Sequence, residues 1–348
     1  MRTARRLGCA GYCILALGVG ACLAPVSRGD AGRHEFASEH MGTRFVLTLI
    51  CDDAGRAATA ARDAFARVAA IERALTDYDP NSEAMRVCKR NDAAPGVPIP
   101  LGDDLFRCLE ASRRVAELSG GKFDPTVGPL TKLWRLSRRT QDLPDPAVLA
   151  AARAKVGTDK YSLDPAARAV TFTVPGVRLD FGGVGKGFAA DEVLKLLRDK
   201  HKISQAIIAA GGDVTCGDAP PGAAGWVVTV KPLANGRPPR RLLLANASVS
   251  TSGDLDQVAL IGGVRYSHVL DPTTGLGLTG RRSVTVVART GTLADSLTKA
   301  ASVMPPAEAL KLVAMIDGVE MSATVRATDD APEVVTDSPG FARLVVKP

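Results

Sequence analysis

Aromatic side chains are scarce in this chain: two Trp, four Tyr and nine Phe among 348 residues, 4% in all. So sparse a set leaves little to stack on bases, and composition gives a nucleic-acid partner no support. Outside the N-terminus no uncharged run approaches membrane length, which excludes a polytopic membrane protein. The seven cysteines include no CxxC and no Cys/His pair at zinc spacing, so a structural zinc is not expected. No solenoid or propeller period stands out, and the 34 glycines follow no collagen repeat. Charged residues at 23% beside 46% hydrophobic residues exclude wholesale disorder. The length suits one large unit, or two lobes sharing a core.

Acid is missing from residues 1–21, which carry Arg2, Arg5 and Arg6 and then an uncharged run from Leu7 to Ala21. Without that segment the 44 Lys+Arg fall to 41 against 37 Asp+Glu, so the formal charge drops from +7 to +4. A basic start followed by a short apolar stretch reads as a secretory signal, too short to span a bilayer comfortably. It ends Val19-Gly20-Ala21-Cys22, which resembles a bacterial lipobox in which the cysteine receives lipid. An ordinary cleaved signal or an uncleaved anchor is the alternative. Residues 1–21 are therefore read as a lipoprotein signal peptide and 22–35 as a tether. The expected location is the bacterial cell envelope, lipid-anchored through Cys22 and facing the periplasm. Cys51, Cys88, Cys108 and Cys216 remain, either as disulfide partners that sequence cannot pair or as small buried hydrophobes.

Residues 44–50 read as a strand, and Ala61, Phe65, Val68, Ile71 and Leu75 recur at helical spacing over 54–75. Further helices are expected at 103–119, 146–155, 186–200, 293–303 and 306–316. Strands are expected within 169–180 and at 205–210, 226–231, 241–250, 258–261, 264–270, 283–288, 319–326 and 342–346. Hairpins mixed with separate helices, without strict βαβ alternation, argue an α+β fold with largely antiparallel sheets.

The densest glycine cluster reads Asp180-Phe-Gly-Gly-Val-Gly-Lys-Gly-Phe-Ala-Ala-Asp191. A Walker loop fails here, because Asp180 stands where glycine is needed and Gly187 where Ser/Thr is needed. A dinucleotide fingerprint fails at Phe188. What survives is a strand leading through a glycine turn into a helix with Lys186 in its first turn. That arrangement suits an anion, or it is simply a tight turn. Four more segments stand out: Ala-Ala-Gly-Gly-Asp-Val at 209–214, Ser-Thr-Ser-Gly-Asp at 250–254, Tyr-Ser-His-Val-Leu-Asp-Pro-Thr-Thr-Gly at 266–275, and Ala-Asp-Ser-Leu-Thr at 294–298. Each alone is weak.

Taken in order, and joined by Met41-Gly42-Thr43, Thr76-Asp77-Tyr78-Asp79-Pro80-Asn81-Ser82-Glu83, Gly120-Gly121-Lys122-Phe123-Asp124-Pro125 and Leu133-Trp134, they resemble the bacterial FAD:protein FMN transferases of ApbE type. The resemblance spans roughly residues 36–326, and 36–348 is read as one flavin transferase domain. It implies a T-fold-related α+β architecture with an FAD cleft between lobes. The implied reaction splits the FAD pyrophosphate, places FMN through a phosphoester on Ser/Thr of an envelope redox protein, and releases AMP with the help of Mg²⁺. Carried over residue by residue, it implies nucleotide contacts at Met41, Tyr78, Lys122, Phe123, Asp124, Asp180, Lys186 and Leu270. Asp271, Thr274 and Gly275 are expected to shape the loop beside the histidine. His268 is the candidate general base, since imidazole exchanges protons near neutrality. Gly183, through its carbonyl, and Asp295 would hold Mg²⁺. An FAD pyrophosphatase and a non-catalytic FAD-binding lipoprotein are the alternative functions.

One departure matters. The family places a cation-ligating threonine four residues after the aspartate, where this chain has Lys299 and keeps Thr298 one residue earlier. Thr298 could serve as the ligand, water could replace the hydroxyl, or the Lys299 ammonium could take over part of the cation's role. Residues i and i+4 share a helix face, so an ordinary Asp295–Lys299 ion pair is the plainest reading.

Overall fold

The computed structural model describes residues 32–233, 238–253, 258–328 and 331–346. Residues 1–31, which hold the segment read as a signal peptide and Cys22, lie outside the described residues. In chain order the elements are β1 (Arg33–His40), β2 (Thr43–Ile50), α1 (Ala54–Leu75), α2 (Glu83–Ala93), β3 (Ile99–Pro100), α3 (Asp103–Leu118), α4 (Gly128–Thr140) and α5 (Pro146–Arg153). There follow β4 (Tyr161–Asp164), β5 (Ala169–Phe172), α6 (Gly185–His201), β6 (Ala206–Ala210), β7 (Asp213–Cys216), β8 (Trp226–Val230), β9 (Arg240–Leu244) and β10 (Ala247–Gly253). The rest comprises β11 (Val258–Ile261), β12 (Val264–Asp271), β13 (Leu276–Thr279), β14 (Arg281–Ala288), α7 (Gly291–Val303), α8 (Pro306–Ala314), β15 (Glu320–Arg326), β16 (Val334–Asp337) and α9 (Phe341–Leu344).

A central sheet of eight strands runs β1-β2-β6-β7-β10-β14-β15-β16, antiparallel throughout, in an α+β fold as the mixture of hairpins and helices implied. Both faces of its middle are covered, and strand alternation sorts side chains between them. In β7, Val214 and Cys216 join Trp226, Leu242, Leu244, Val249 and Phe341 beneath the β8–β9 hairpin. Asp213 and Thr215 point the other way, towards α6 and α7. On that helical face α1 buries a stripe of Ala57, Ala60, Ala61, Ala64, Phe65, Val68, Ile71 and Leu75. Four alanines keep the stripe thin enough for α6 to pack on it, while burying Phe65 contributes about 1.5–3 kcal/mol. Asp53 starts the helix by accepting from the Arg56 amide at 2.9 Å, a cap worth about 1 kcal/mol.

Several boundaries differ from the sequence reading. The strand expected over 241–250 breaks at Asn246, whose φ is +48°, so β9 and β10 enter different sheets. Of 169–180 only Ala169–Phe172 is regular strand; its continuation makes one isolated bridge, Val127 to Arg178. Residues 342–346 hold the end of short helix α9, because Phe341 turns in to fill the cluster under β8–β9. β1 opens at Arg33, inside the stretch read as tether, pairing Arg33 with Ile50. Helices α2 and α4 were not foreseen: both are mostly polar, and α4 opens with Gly-Pro, which reads as a turn. Cys51, Cys88, Cys108 and Cys216 are free and buried, the small-hydrophobe alternative; burial pushes the Cys88 thiol up to about 11.

Three helices are tied by one ion network. Arg67 of α1 and Arg107 of α3 both reach Glu192 of α6, at 2.6 and 2.5 Å, and Asp104 accepts from Arg67 at 2.5 Å. Burial opposes ionisation of Glu192, but Arg107 and Arg67 outweigh it and hold the carboxyl down to about 2. A depressed folded-state value gives stabilisation that is complete above the ordinary 4.5 and lost as pH falls towards 2. Acid unfolding followed by circular dichroism should therefore show a loss of stability through that window. In Glu192→Gln the loss should be shallower, with lower stability at neutral pH.

Candidate active site

Two hairpins with two-residue loops meet at one end of the sheet. Met41-Gly42 joins β1 to β2 and Gly211-Gly212 joins β6 to β7. Such loops need positive φ at both positions, and the four values are 50°, 69°, 57° and 103°. Met41 carries a side chain in that left-handed conformation, and Glu72 of α1 supports it by accepting the Met41 amide at 2.8 Å. A Cβ on Gly211 would lie 2.9 Å from the Thr43 hydroxyl oxygen, so the two loops sit against each other.

Just behind Gly211-Gly212 comes Asp213, and here α6 and α7 cross. A Cβ on Gly187 would lie 2.1 Å from the Gly291 carbonyl oxygen, so the helices touch backbone to backbone in their first turns. One turn further along α6, Asp191 caps α7 by accepting from the amides of Gly291 at 2.6 Å and Thr292 at 2.8 Å. This crossing brings Lys186 Nζ 3.3 Å from Asp213 Oδ2 and 3.4 Å from Asp295 Oδ2. The Gly187 amide donates to the same Asp295 oxygen at 3.3 Å. From the next turn of α7, Lys299 Nζ donates to Asp295 Oδ1 at 3.0 Å and to Thr298 Oγ1 at 3.2 Å. Ser250 of β10 completes the group, donating to Asp213 Oδ1 at 2.5 Å.

Burial of Lys186 favours the neutral amine, but Asp295 and Asp213 outweigh it and raise its affinity for a proton. Burial likewise disfavours the Asp295 carboxylate, yet Lys186 and Lys299 hold it below the usual range. Burial and the neighbouring Asp295 carboxylate push the Asp213 carboxyl above its usual range, against the pull of Lys186 and Lys299. With both acids ionised, two ammoniums face two carboxylates and the quartet is neutral.

A model of the ApbE family matches residues 41–323. This chain belongs to the ApbE family. It is similar to the FAD:protein FMN transferase of Klebsiella pneumoniae (strain 342), 28% identical over 314 residues that cover 87% of each chain. It is 30% identical over 256 residues to the FAD:protein FMN transferase of Treponema pallidum (strain Nichols), covering 69% of this chain and 70% of that one. Among solved structures, the apo flavinyl transferase ApbE of Pseudomonas stutzeri superposes with a TM-score of 0.77 at 25% identity, over 90% of this chain and 96% of that one. The flavin transferase ApbE of Vibrio cholerae gives 0.78 at 23% identity over 90% and 100%, a likeness of fold.

The family motifs sit in the fold as follows. Tyr78 is 78% exposed, and the Arg135 guanidinium lies 4.4 Å from its ring centroid. Arg135 also pairs with Asp77 and stands 3.6 Å from Asp180. Asp180 itself is buried, and its Oδ1 accepts the Gly182 amide at 2.8 Å, which shapes the glycine turn. Lys122 donates to Thr273 Oγ1 at 3.1 Å, joining its loop to the β12–β13 turn. Phe123 is core, packed under Gly183. The Asp124 carboxylate is buried and taken up by the amide and hydroxyl of Thr126, at 2.7 and 2.6 Å. One oxygen of each aspartate holds local backbone in shape, and the second oxygen of Asp180 faces Arg135.

His268 lies on an irregular stretch of β12. Pairing steps from Tyr266–Thr279 to Leu270–Gly277, four residues against two, and such bulges re-aim side chains. Trp134 anchors this stretch by donating to the Ser267 carbonyl at 3.1 Å, and Leu270 packs half-buried on the same cluster. Asp271, Thr274 and Gly275 do shape the following turn: Asp271 accepts from the Thr273 and Gly275 amides, and Gly275 has φ +76°. β12 packs on α7, the helix of Asp295 and Lys299. Asp213 and Arg135 were not singled out by sequence. Gly-Gly-Asp was visible as a motif, but nothing local tells its aspartate from a turn residue.

Magnesium takes near-octahedral oxygens at about 2.0–2.1 Å, several of them from water. The donors here are one carboxylate already carrying an ammonium on each oxygen and one hydroxyl, Thr298, that donates to the Asp295 carbonyl at 2.6 Å. The third is the backbone at Gly183, where a Cβ would meet Lys299 Cγ at 2.9 Å. No group of three or more His, Cys, Asp or Glu among the described residues could hold a metal ion. This set does not fit a divalent cation.

The neutral quartet makes Lys186 structurally indispensable. Lys186→Met should cost about 3–5 kcal/mol by leaving Asp213 buried without its countercharge. Urea denaturation should show that loss, and Lys186→Met combined with Asp213→Asn should recover part of it.

Proposed function

We propose that this protein transfers FMN from FAD to a Ser or Thr hydroxyl of an acceptor protein. The hydroxyl oxygen attacks the FMN phosphorus, and His268 accepts the hydroxyl proton. The bond from that phosphorus to the bridging oxygen breaks, and its electron pair leaves with AMP. The products are a protein–FMN phosphoester, AMP and one proton. Little covalent work falls to the protein, so positioning and charge neutralisation carry the rate.

The observation that carries the reading is the alignment of family-matched segments around one end of the sheet. The Met41 loop sits against the Gly211-Gly212 turn that leads into Asp213, the Lys186–Asp295 quartet joins α6 to α7, and the bulged β12 packs on α7. Tyr78 with Arg135 on its ring supplies an exposed planar surface suited to a flat heterocycle. Mg²⁺, which the family resemblance implies, enters no step here, because the donor set around Asp295 carries ammoniums instead. The basic leader and Cys22 support a lipid anchor in the bacterial envelope, which would make an envelope redox protein the natural acceptor. No helix among the described residues is long and apolar enough to cross a membrane.

The decisive measurement is mass spectrometry of a purified envelope redox protein incubated with FAD and this enzyme. An FMN-sized adduct on Ser/Thr with stoichiometric AMP is expected. Free FMN and AMP without an adduct would instead mean an FAD pyrophosphatase, and intact FAD a binding protein. His268→Ala should slow adduct formation by about 10²–10⁴-fold while equilibrium FAD binding stays within a few-fold.

A further inference from the structure

We infer that the Lys299 ammonium is the resident cation of this site, so that FAD is bound without a divalent metal. The three groups that the family pattern would assign to a cation are Asp295, a hydroxyl on the same helix and the Gly183 backbone. In this chain all three enclose one lysine. Its Nζ lies 3.0 Å from Asp295 Oδ1 and 3.2 Å from Thr298 Oγ1, and its stem runs past Gly183 so closely that a Cβ there would meet Lys299 Cγ at 2.9 Å. Phe123 closes the other side of Gly183, 3.3 Å from the same point. Glycine at 183 makes room for the lysine stem.

The charge count points the same way. Asp295 is fully buried, and Lys186 and Lys299 each hold one of its oxygens. Asp213 takes the second contact of Lys186, so two positive and two negative groups balance. A divalent cation bonded to Asp295 would have to approach an ammonium already seated on that carboxylate, against like-charge repulsion in a poorly solvated place. Each ammonium has three donors. Lys299 spends two on Asp295 and Thr298, and 22% of its side chain is exposed, which leaves one donor for a ligand. An anionic phosphate oxygen is the partner such a donor fits.

The inference rests on the proposed flavin chemistry, and two titrations separate the two claims. In the first, the full mature chain is titrated with FAD in EDTA and again in millimolar Mg²⁺, by fluorescence quenching. Wild type should show affinities within about twofold of each other. Lys299→Thr, which supplies a hydroxyl in place of the ammonium, should bind FAD at least tenfold more tightly with Mg²⁺ than in EDTA. Lys299→Arg should remain metal-independent. In the second, Mn²⁺ alone is titrated into the same proteins and followed by electron paramagnetic resonance. Wild type should leave Mn²⁺ free, and Lys299→Thr should bind one equivalent. Stoichiometric Mn²⁺ binding by wild type, or a tenfold gain in its FAD affinity with Mg²⁺, overturns the inference and leaves the flavin reading standing. Absence of FAD binding in every condition overturns the flavin reading, and the Mn²⁺ titration still decides the place of Lys299. Thermal melts of each variant establish that the proteins compared are folded.

Discussion

Desolvating four charged groups in one place is tolerable only if each finds its counterpart within about 3–4 Å. That requirement fixes more of this molecule than any other single contact. Lys186 belongs to α6, Asp295 and Lys299 to α7, and Asp213 to the strand that leaves the Gly211-Gly212 turn. Their pairing holds two helices and the centre of the sheet in one register. The backbone contact between Gly187 and Gly291 makes the geometry possible, because any side chain at either position would push the helices apart. Asp191, capping α7 from α6, adds a second tie one turn away.

The same economy of space recurs around the site. Gly277 lies so close to Trp134 that a Cβ would come within 2.3 Å of the indole, and this packing seats the strand that carries His268. Asp180 and Asp124 each give one oxygen to a nearby amide, and Asp180 turns its other towards Arg135. Their burial raises both carboxyls above the usual range, which suits groups that shape backbone. The polar groups that keep some exposure are fewer: Tyr78 with Arg135, Lys186 and Lys299, and Lys122, with His268 half-buried on β12.

Placing an ammonium where the family resemblance implies a hydroxyl changes the chemistry of neutralisation. A bound divalent ion contributes two charges and a geometry that is lost when the ion leaves. A lysine contributes one charge, covalently attached, and orients through its own stem. Here that stem is clamped between Gly183 and α7, so the charge arrives preorganised. Preorganised donors cost no reorganisation at the moment of reaction.

Local pattern was enough for α1, α3, α6 and α7, whose apolar spacing or caps lie within one stretch of chain, and for the α+β class. It was enough too for the ordered motifs that identify the family and for the oddity of Lys299, since each is a matter of residue identity and spacing. It misjudged α2 and α4, where polar composition or a Gly-Pro start hides a helix, and α9, whose apolar residues read as strand until Phe341 finds its cluster far along the chain. Asp213 and Arg135 were invisible for the same reason: their charge partners are 27 and 45 or more residues away, at Lys186 and Asp180. Whether an acid meets substrate or a backbone amide, and whether a lysine faces solvent or a buried carboxylate, depends on distance and desolvation in three dimensions. Neither quantity exists until the chain has folded.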